Sequence, residues 1–280
     1  MGNTLLTIFT PTYNRINELE RLYSSLISQT DFRFEWLIVD DGSTDDTENM
    51  VVSWLDTSPF PIRYIKQPNS GKHVAHNHGA TEASGEYFIC VDSDDWLEPN
   101  AVETILHDIT ALDTWFPDGA DKIELADMRM KYGLVIETAI VFNTDVLRRH
   151  PFPVVQGEHF IPEGSAYYDF VAPELFCVHN EPFYRCEYLE EGLTKNIWKN
   201  WLGSPVGTRM ALVKRHESAR RYSSVRALRE RISALVGIES LNMAVAEPVF
   251  SRIDSNRVLA LLVFPLSVLV ERRRFGRKVS

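Results

Sequence analysis

The feature that most constrains this chain is the regular alternation, over its first hundred residues, of short apolar β-branched runs with segments of helical period. Residues 5–10 form the first run, and Pro11 is expected to end it. Leu19, Leu22, Leu26 and Ile27 then recur at the spacing of one helix face. Residues 34–39 make a second run, closed by Asp40, Asp41 and Gly42, with Ser43 or Thr44 placed to cap the next helix. That helix carries Asp45, Asp46 and Glu48 in its first turn, where the helix dipole favours negative charge. A third strand is expected at 62–65, a helix at 72–84 ended by Gly85, a fourth strand at 87–91, and a helix from Pro99 to about residue 112.

Strands and helices in strict alternation imply an α/β fold, a mainly parallel sheet with helices on both faces. In such sheets ligands bind beyond the carboxyl ends of the strands. Asp40 and Asp41 follow one strand and Asp92, Asp94 and Asp95 another, so five carboxylates from distant parts of the chain are expected on one rim. Residues 113–131 read as an irregular connection, 134–142 as a strand, 146–149 as a short helix and 172–188 as aromatic-rich strand material. Beyond Gly203 come helical segments at 210–222 and 224–246 and an apolar run at 258–270.

Charge divides the chain at Pro205. Residues 1–205 hold 14 basic and 33 acidic residues, and residues 206–280 hold 15 and 6, which together make the net charge of −10. Residues 1–205 are therefore expected to form the sheet domain and 206–280 a basic helical extension. An acidic body excludes electrostatic capture of nucleic acid, which needs a basic surface. Cys90, Cys177 and Cys186 are odd in number and lack CxxC spacing, which suggests buried thiols in a reducing, cytoplasmic compartment. The first nine residues lack the basic stretch of a signal peptide. The run at 258–270 is too short to span a bilayer, but with Arg252, Arg257 and Arg272–Arg274 around it, it suits either a membrane interface at the inner face of the cell membrane or a helix packed on the body.

The acidic stretch Asp92, Ser93, Asp94, Asp95 stands directly after a strand. Alternate carboxylates there can turn toward one hard cation, Mg²⁺ or Mn²⁺, which completes its shell with water and phosphate. The plainer reading is a turn and helix cap. A calcium loop starting at Asp92 fails, because Leu97 stands where the loop needs glycine. Asp40 and Asp41 also suit a turn, but a carboxylate there could accept from a base N–H or a ribose hydroxyl. Lys72 at a helix start can receive phosphate, and His76 and Asn77 could contact a nucleotide.

Taken together, Thr10-Pro11-Thr12-Tyr13-Asn14-Arg15, Val39-Asp40-Asp41-Gly42-Ser43-Thr44-Asp45, Asn69-Ser70-Gly71 with Ala75, His76, Asn77 and Gly79, and Asp92-Ser93-Asp94-Asp95 with Pro99 resemble, in order and spacing, the family 2 glycosyltransferases. The resemblance covers roughly residues 5–202. It implies the GT-A fold, a nucleotide-sugar donor (typically a UDP-sugar), and transfer with inversion to a glycan or lipid-linked acceptor in surface-polysaccharide synthesis. Residue by residue, it implies that Thr10, Pro11 and Tyr13 line the base pocket, with Arg15, Lys72, Asn77 and Ser93 also on the nucleotide. Asp41 or Asp40 would read the base, Asp92 would meet the ribose side, and Asp94, with Asp92 and Asp95, would hold the metal that bridges the diphosphate.

A second stretch, Gly157-Glu158-His159-Phe160-Ile161-Pro162-Glu163, followed by 188–194, resembles a bacterial branch of the family. It implies Glu163 as catalytic base and Glu158 as second choice, since an acceptor hydroxyl attacks well only as its proton is drawn off. A helix-capping role for Glu163 after Pro162 is the alternative. Trp96, Tyr167 and Tyr168 are candidates to stack on an acceptor sugar. His76 stands where many members carry Arg. The rivals are a nucleotidyltransferase, which would want a glycine-rich loop after the first strand, and a non-catalytic nucleotide-sugar-binding protein.

Overall fold

The computed structural model describes residues 5–108, 120, 122–134, 139–177, 182–187, 195–250 and 257–276. In chain order the elements are β1 (Leu6–Thr12), α1 (Ile16–Ile27), β2 (Phe34–Asp40), α2 (Thr47–Leu55), β3 (Ile62–Lys66), α3 (Lys72–Glu82), β4 (Tyr87–Cys90), β5 (Trp96–Leu97), α4 (Ala101–Asp108), α5 (Leu125–Met130), β6 (Val141–Asn143), α6 (Thr144–Arg149), α7 (Gly164–Tyr167), β7 (Tyr184–Arg185), α8 (Ile197–Gly203), α9 (Pro205–Ala219), α10 (Val225–Ala244) and α11 (Arg257–Arg274). They fall into two compact units, one of residues 1–122, 137–151 and 177–190, the other of 123–136, 152–176 and 191–280. The packing boundary therefore does not follow the change of charge at Pro205.

The first unit holds a five-stranded sheet in the order β3-β2-β1-β4-β6. β1 to β4 are parallel and β6 is antiparallel to β4. Every residue of β1 and β2 is buried, as expected for strands covered on both faces. Strand order reverses between β1 and β4, and this switch point is where the rim opens for a ligand. Beneath the sheet, Tyr23 of α1 stacks on Trp36 and Trp54 at ring separations of 5.8 and 4.1 Å, the two indoles being 5.9 Å apart, and Phe34 and Phe60 extend the aromatic layer.

Two local expectations fail for identifiable reasons. Pro11 does not stop β1, which runs to Thr12. Phe9 accepts from Val91 on the β4 side, so by strand alternation Pro11 also faces that side, where β4 has already ended, and its missing N–H costs no ladder bond. Ser43 and Thr44 do not cap α2. The helix begins at Thr47, whose N–H donates to Asp45 Oδ1, while Ser43 Oγ accepts from Asn14 N–H. The helix expected from Pro99 begins at Ala101, and residues 109–112 lie outside those described. Of the strand material at 172–188, the described residues give only β7 and a bridge between Phe176 and Ile123. None of the three cysteines is in a disulfide, but Cys177 and Cys186 are exposed rather than buried.

The second unit is helical. Ser224 caps α10 through its hydroxyl, Glu124 and Asp127 form a capping box on α5, and α11 packs on α10 through Ala260 and Val263. The apolar run at 258–270 is thus a packed helix, and Pro265 stands on its exposed side. No helix among the described residues is long and apolar enough to cross a membrane.

Candidate active site

At the switch point the four sequence motifs are tied to one another by hydrogen bonds. Asn14, held at φ 51°, donates its N–H to Ser43 Oγ at 2.9 Å and accepts from Thr44 N–H at 2.8 Å. Asp41 accepts from Ser70 and Gly71 N–H at 2.9 and 2.7 Å and from Gln67 Nε2 at 2.8 Å. Lys72 Nζ meets Asp92 Oδ2 at 2.7 Å. The loop after each of these strands is therefore positioned by the loop after another, between neighbours for β1, β2 and β3 and across the sheet where Lys72 meets Asp92.

The two adjacent acids are not wasted on one turn. Asp40 points inward, accepting from Ser43 N–H at 2.7 Å and from the Tyr64 hydroxyl, and burial with that carboxylate contact pushes the Tyr64 phenol up. Asp41 points to the other loop and fixes the approach to α3. Three donors already occupy its carboxylate, so it can offer little more than one lone pair to a ligand. Gly42 is required directly after the pair: its φ is +86°, and a Cβ there would stand 2.9 Å from Asn69 N.

Asp92, Asp94 and Asp95 present oxygens that all lie within 4.8 Å of one another. Burial, reinforced by the Asp92 charge, pushes the Asp94 carboxyl up, and burial above all pushes Asp95 up to about 6, against its hydrogen bond from Tyr184. Such mutual repulsion among oxygen donors is what a hard divalent cation relieves, so the residues fit Mn²⁺ or Mg²⁺.

The cluster is held from behind by side chains without a local sequence signal. The Tyr184 hydroxyl donates to Asp95 Oδ2 at 2.5 Å and accepts from Asp92 N–H at 3.3 Å. Glu187 N–H donates to Asp95 Oδ1 at 3.2 Å. Arg21 of α1 donates to the Asp94 carbonyl at 2.5 Å, pairs with Glu187 and lies 4.4 Å over the Trp96 ring. All three arrive from elements at least 70 positions away in sequence, separated from the acids by 73 to 92 residues.

Among the other expected nucleotide residues, Tyr13 is 47% exposed at the rim, Arg15 pairs with Glu18 at 3.6 Å and draws Asp94 down electrostatically, and Pro11 and Ser93 are buried beneath. Thr10 is not a lining residue: it is fully buried and accepts from Trp36 Nε1 at 3.0 Å. His76 is core as well, wedged at 5.5 Å from Phe9 and 5.4 Å from Phe88 and driven down to about 3 by burial, which keeps it neutral. Asn77 lines a small cleft with Leu147, Arg148 and Pro151, on the α6 side of α3.

In the second unit, Glu158 is a helix anchor. Its two carboxylate oxygens accept from Val206 and Gly207 N–H, each at 2.7 Å, and so satisfy the first turn of α9. Glu163 is exposed just before α7, and its side chain does not cap that helix. Tyr167 packs with Phe152 and Phe170, and Tyr168 packs with Ala126 and Met130, so both serve their own unit's core rather than standing free for a sugar. The stretch 188–194 lies outside the described residues.

Residues 7–118 match the family model described as glycosyl transferase family 2. Over 100 residues the chain is 39% identical to the glycosyltransferase GlyA of Streptococcus pneumoniae serotype 4, covering 36% of this chain and 14% of that protein. Over 102 residues it is 38% identical to the chondroitin synthase of Pasteurella multocida, covering 36% and 10%. The chain thus spans about a tenth to a seventh of the length of these relatives. Among solved structures, Staphylococcus aureus TarS 1–349 in complex with UDP-GlcNAc superposes with a TM-score of 0.58 at 17% identity, covering 97% of this chain and 92% of that one. The mannosyltransferase PcManGT of Pyrobaculum calidifontis, in complex with GDP-Man and Mn²⁺, gives 0.56 at 16%, covering 95% and 86%. With its sheet order, interlocked loops and acidic cluster, the chain has the GT-A fold, and its residues 7–118 are similar to glycosyl transferase family 2.

Proposed function

We propose that the protein is an inverting glycosyltransferase that moves a sugar from a nucleoside-diphosphate donor, a UDP-sugar, to a hydroxyl of a glycan or lipid-linked acceptor in surface-polysaccharide synthesis. The observation that carries this reading is the acidic cluster at the switch point, whose oxygens lie within 4.8 Å of one another beside Lys72. Three carboxylates repel a diphosphate unless a cation stands between them. A divalent metal held by Asp94, Asp92 and Asp95 supplies charge neutralisation of the departing diphosphate. UDP-GlcNAc in the TarS complex and Mn²⁺ in the mannosyltransferase complex support the donor class and the metal class.

Around that group the chain's own residues have definable tasks. Tyr13 offers an exposed ring for the base, and Asp41 keeps the loop before α3 in place while offering its remaining lone pair. Lys72 binds phosphate oxygen once its pairing with Asp92 is exchanged for the ligand. Glu163 is the proposed base, supported by its place in the Gly-Glu-x-Phe-x-Pro-Glu stretch and by its exposure just before α7. As the acceptor oxygen bonds to the anomeric carbon, the acceptor proton passes to Glu163 and the bond to the nucleoside diphosphate breaks, leaving the anomeric centre inverted. Glu158 is set aside, because both its oxygens hold α9.

The test is sugar transfer and donor hydrolysis with Mn²⁺ or Mg²⁺, comparing wild type with Asp94→Ala and Glu163→Gln. Each variant should lose about a hundredfold or more in rate, with far-UV circular dichroism unchanged. Unchanged rates in both would sink the site assignment.

A further inference from the structure

The outer face of α11 is apolar and bare. Val258, Leu261, Leu262, Leu266 and Leu269 are 48–73% exposed, while Ala260, Val263 and Ser267 on the opposite face are buried. At 100° per residue the exposed five, with Pro265 among them, fall within an arc of roughly 140° and repeat over a helix about 27 Å long. The helix is therefore pinned to its unit by one side and displays leucine on the other. A soluble surface rarely concentrates aliphatic side chains this way without a partner.

Charge selects the partner. Arg272 and Arg273 continue the same outer arc, Arg257 flanks its other end, all three are exposed, and among the described residues none of them is in an ion pair. The arc contains no Asp or Glu. Arg274, by contrast, turns inward, 3.9 Å over the Trp198 ring. A second copy of this face would bring arginine to arginine with no acid to meet it. A convex ridge with apolar middle and cationic ends matches instead a flat apolar layer beneath anionic headgroups.

We propose that α11 docks the protein on an anionic lipid surface, its five aliphatic residues entering the acyl boundary and Arg257, Arg272 and Arg273 lying among phosphates. The docking is independent of the donor chemistry and is read without any turnover, so its failure would leave the glycosyltransferase reading untouched. The experiment is flotation of the full chain with phosphatidylcholine vesicles and with vesicles containing about one third phosphatidylglycerol, at low and high salt. Binding is expected on the anionic vesicles only and should weaken as salt screens the arginines. The double variant Leu262→Gln/Leu269→Gln should lose at least about tenfold in partitioning. Arg272→Gln/Arg273→Gln should lose about twenty-fivefold, since each basic residue near the surface contributes roughly fivefold. All four positions are exposed, so the variants should keep the wild-type circular dichroism and melting temperature. Absence of binding to anionic vesicles, or binding that both double variants leave unchanged, would overturn the proposal. So would a sedimentation experiment in which the leucine variant converts a dimer to a monomer without changing vesicle binding.

Discussion

Asp95 sits at a balance that can be moved by pH. Burial, with Asp92 and Asp94 adding to it, lifts its carboxyl to about 6 although Tyr184 and Glu187 hydrogen-bond to its charged form. A cation needs the carboxylate, so Mn²⁺ affinity should fall by roughly tenfold per pH unit below about 6, as titration calorimetry between pH 7.5 and 5 can follow. Folding responds in the opposite sense. A carboxyl whose folded value is raised contributes stability fully below its ordinary 3.8 and loses it as pH rises through about 6, so the metal-free protein should weaken over the window in which metal affinity grows. Asp95→Asn should flatten both trends, and an unchanged pH profile in that variant would assign them elsewhere. The three acids are legible in the sequence because they are contiguous and follow a strand. Tyr184 is not: nothing near it in the chain announces a partner 89 residues away, and only the folded sheet brings its hydroxyl between Asp92 and Asp95.

At the scale of elements, the loops that carry the site are fixed by each other more than by their own sequences. Gly42 is where β2's loop meets the loop before α3, and Gly157 has a similar φ of +81° but open space around a Cβ. Gly42→Ala should therefore cost about 2 kcal/mol or more, from strain and the 2.9 Å clash, and Gly157→Ala about 1 kcal/mol from strain alone. Urea unfolding of the two variants measures the difference, and equal losses would mean that the loop contact has no energetic weight. Removing the anchor of α9 by Glu158→Ala should cost about 1–3 kcal/mol, without the loss of metal binding expected for Asp94→Ala. The strand and helix order was legible, because buried parallel strands and helix stripes have local periods. Caps were not: Ser43 has the right type and place, yet a distant backbone N–H, that of Asn14, claims its oxygen. Glu158 is singled out in the sequence only through the resemblance, as second choice of base, and its donors begin 48 positions later, where the motif cannot announce them.

For the whole molecule, the buried clusters of the described residues divide between the two units, and this implies two responses to heat. One surrounds the sheet, from Leu6 to Ile105, and the others lie wholly in the second unit, around Leu235 and Val263, around Met130 and Ala227, and around Phe152 and Ile161. Sequence pattern revealed the first core but placed a boundary where charge changes, since residues 152–176, which belong with the helices, hold four acidic and no basic residues and so share the acidic composition of the sheet unit, while residues 123–136, with two of each, carry no charge signal. All the proposed metal and nucleotide residues are in the first unit. A ligand stabilises only what binds it, by about 2.7 kcal/mol at a hundred times its Kd. In differential scanning calorimetry, UDP with Mn²⁺ should therefore raise one transition by several degrees, roughly 5–11 °C for a unit of this size, and leave a second in place. UDP alone should do much less, because the carboxylates oppose the diphosphate without the cation. A single transition that moves as a whole would show that the two cores melt as one cooperative body, and a shift indifferent to Mn²⁺ would remove the metal from the donor site. GDP in place of UDP gives the same measurement its specificity arm: a larger shift with GDP would reassign the base while keeping the metal site intact.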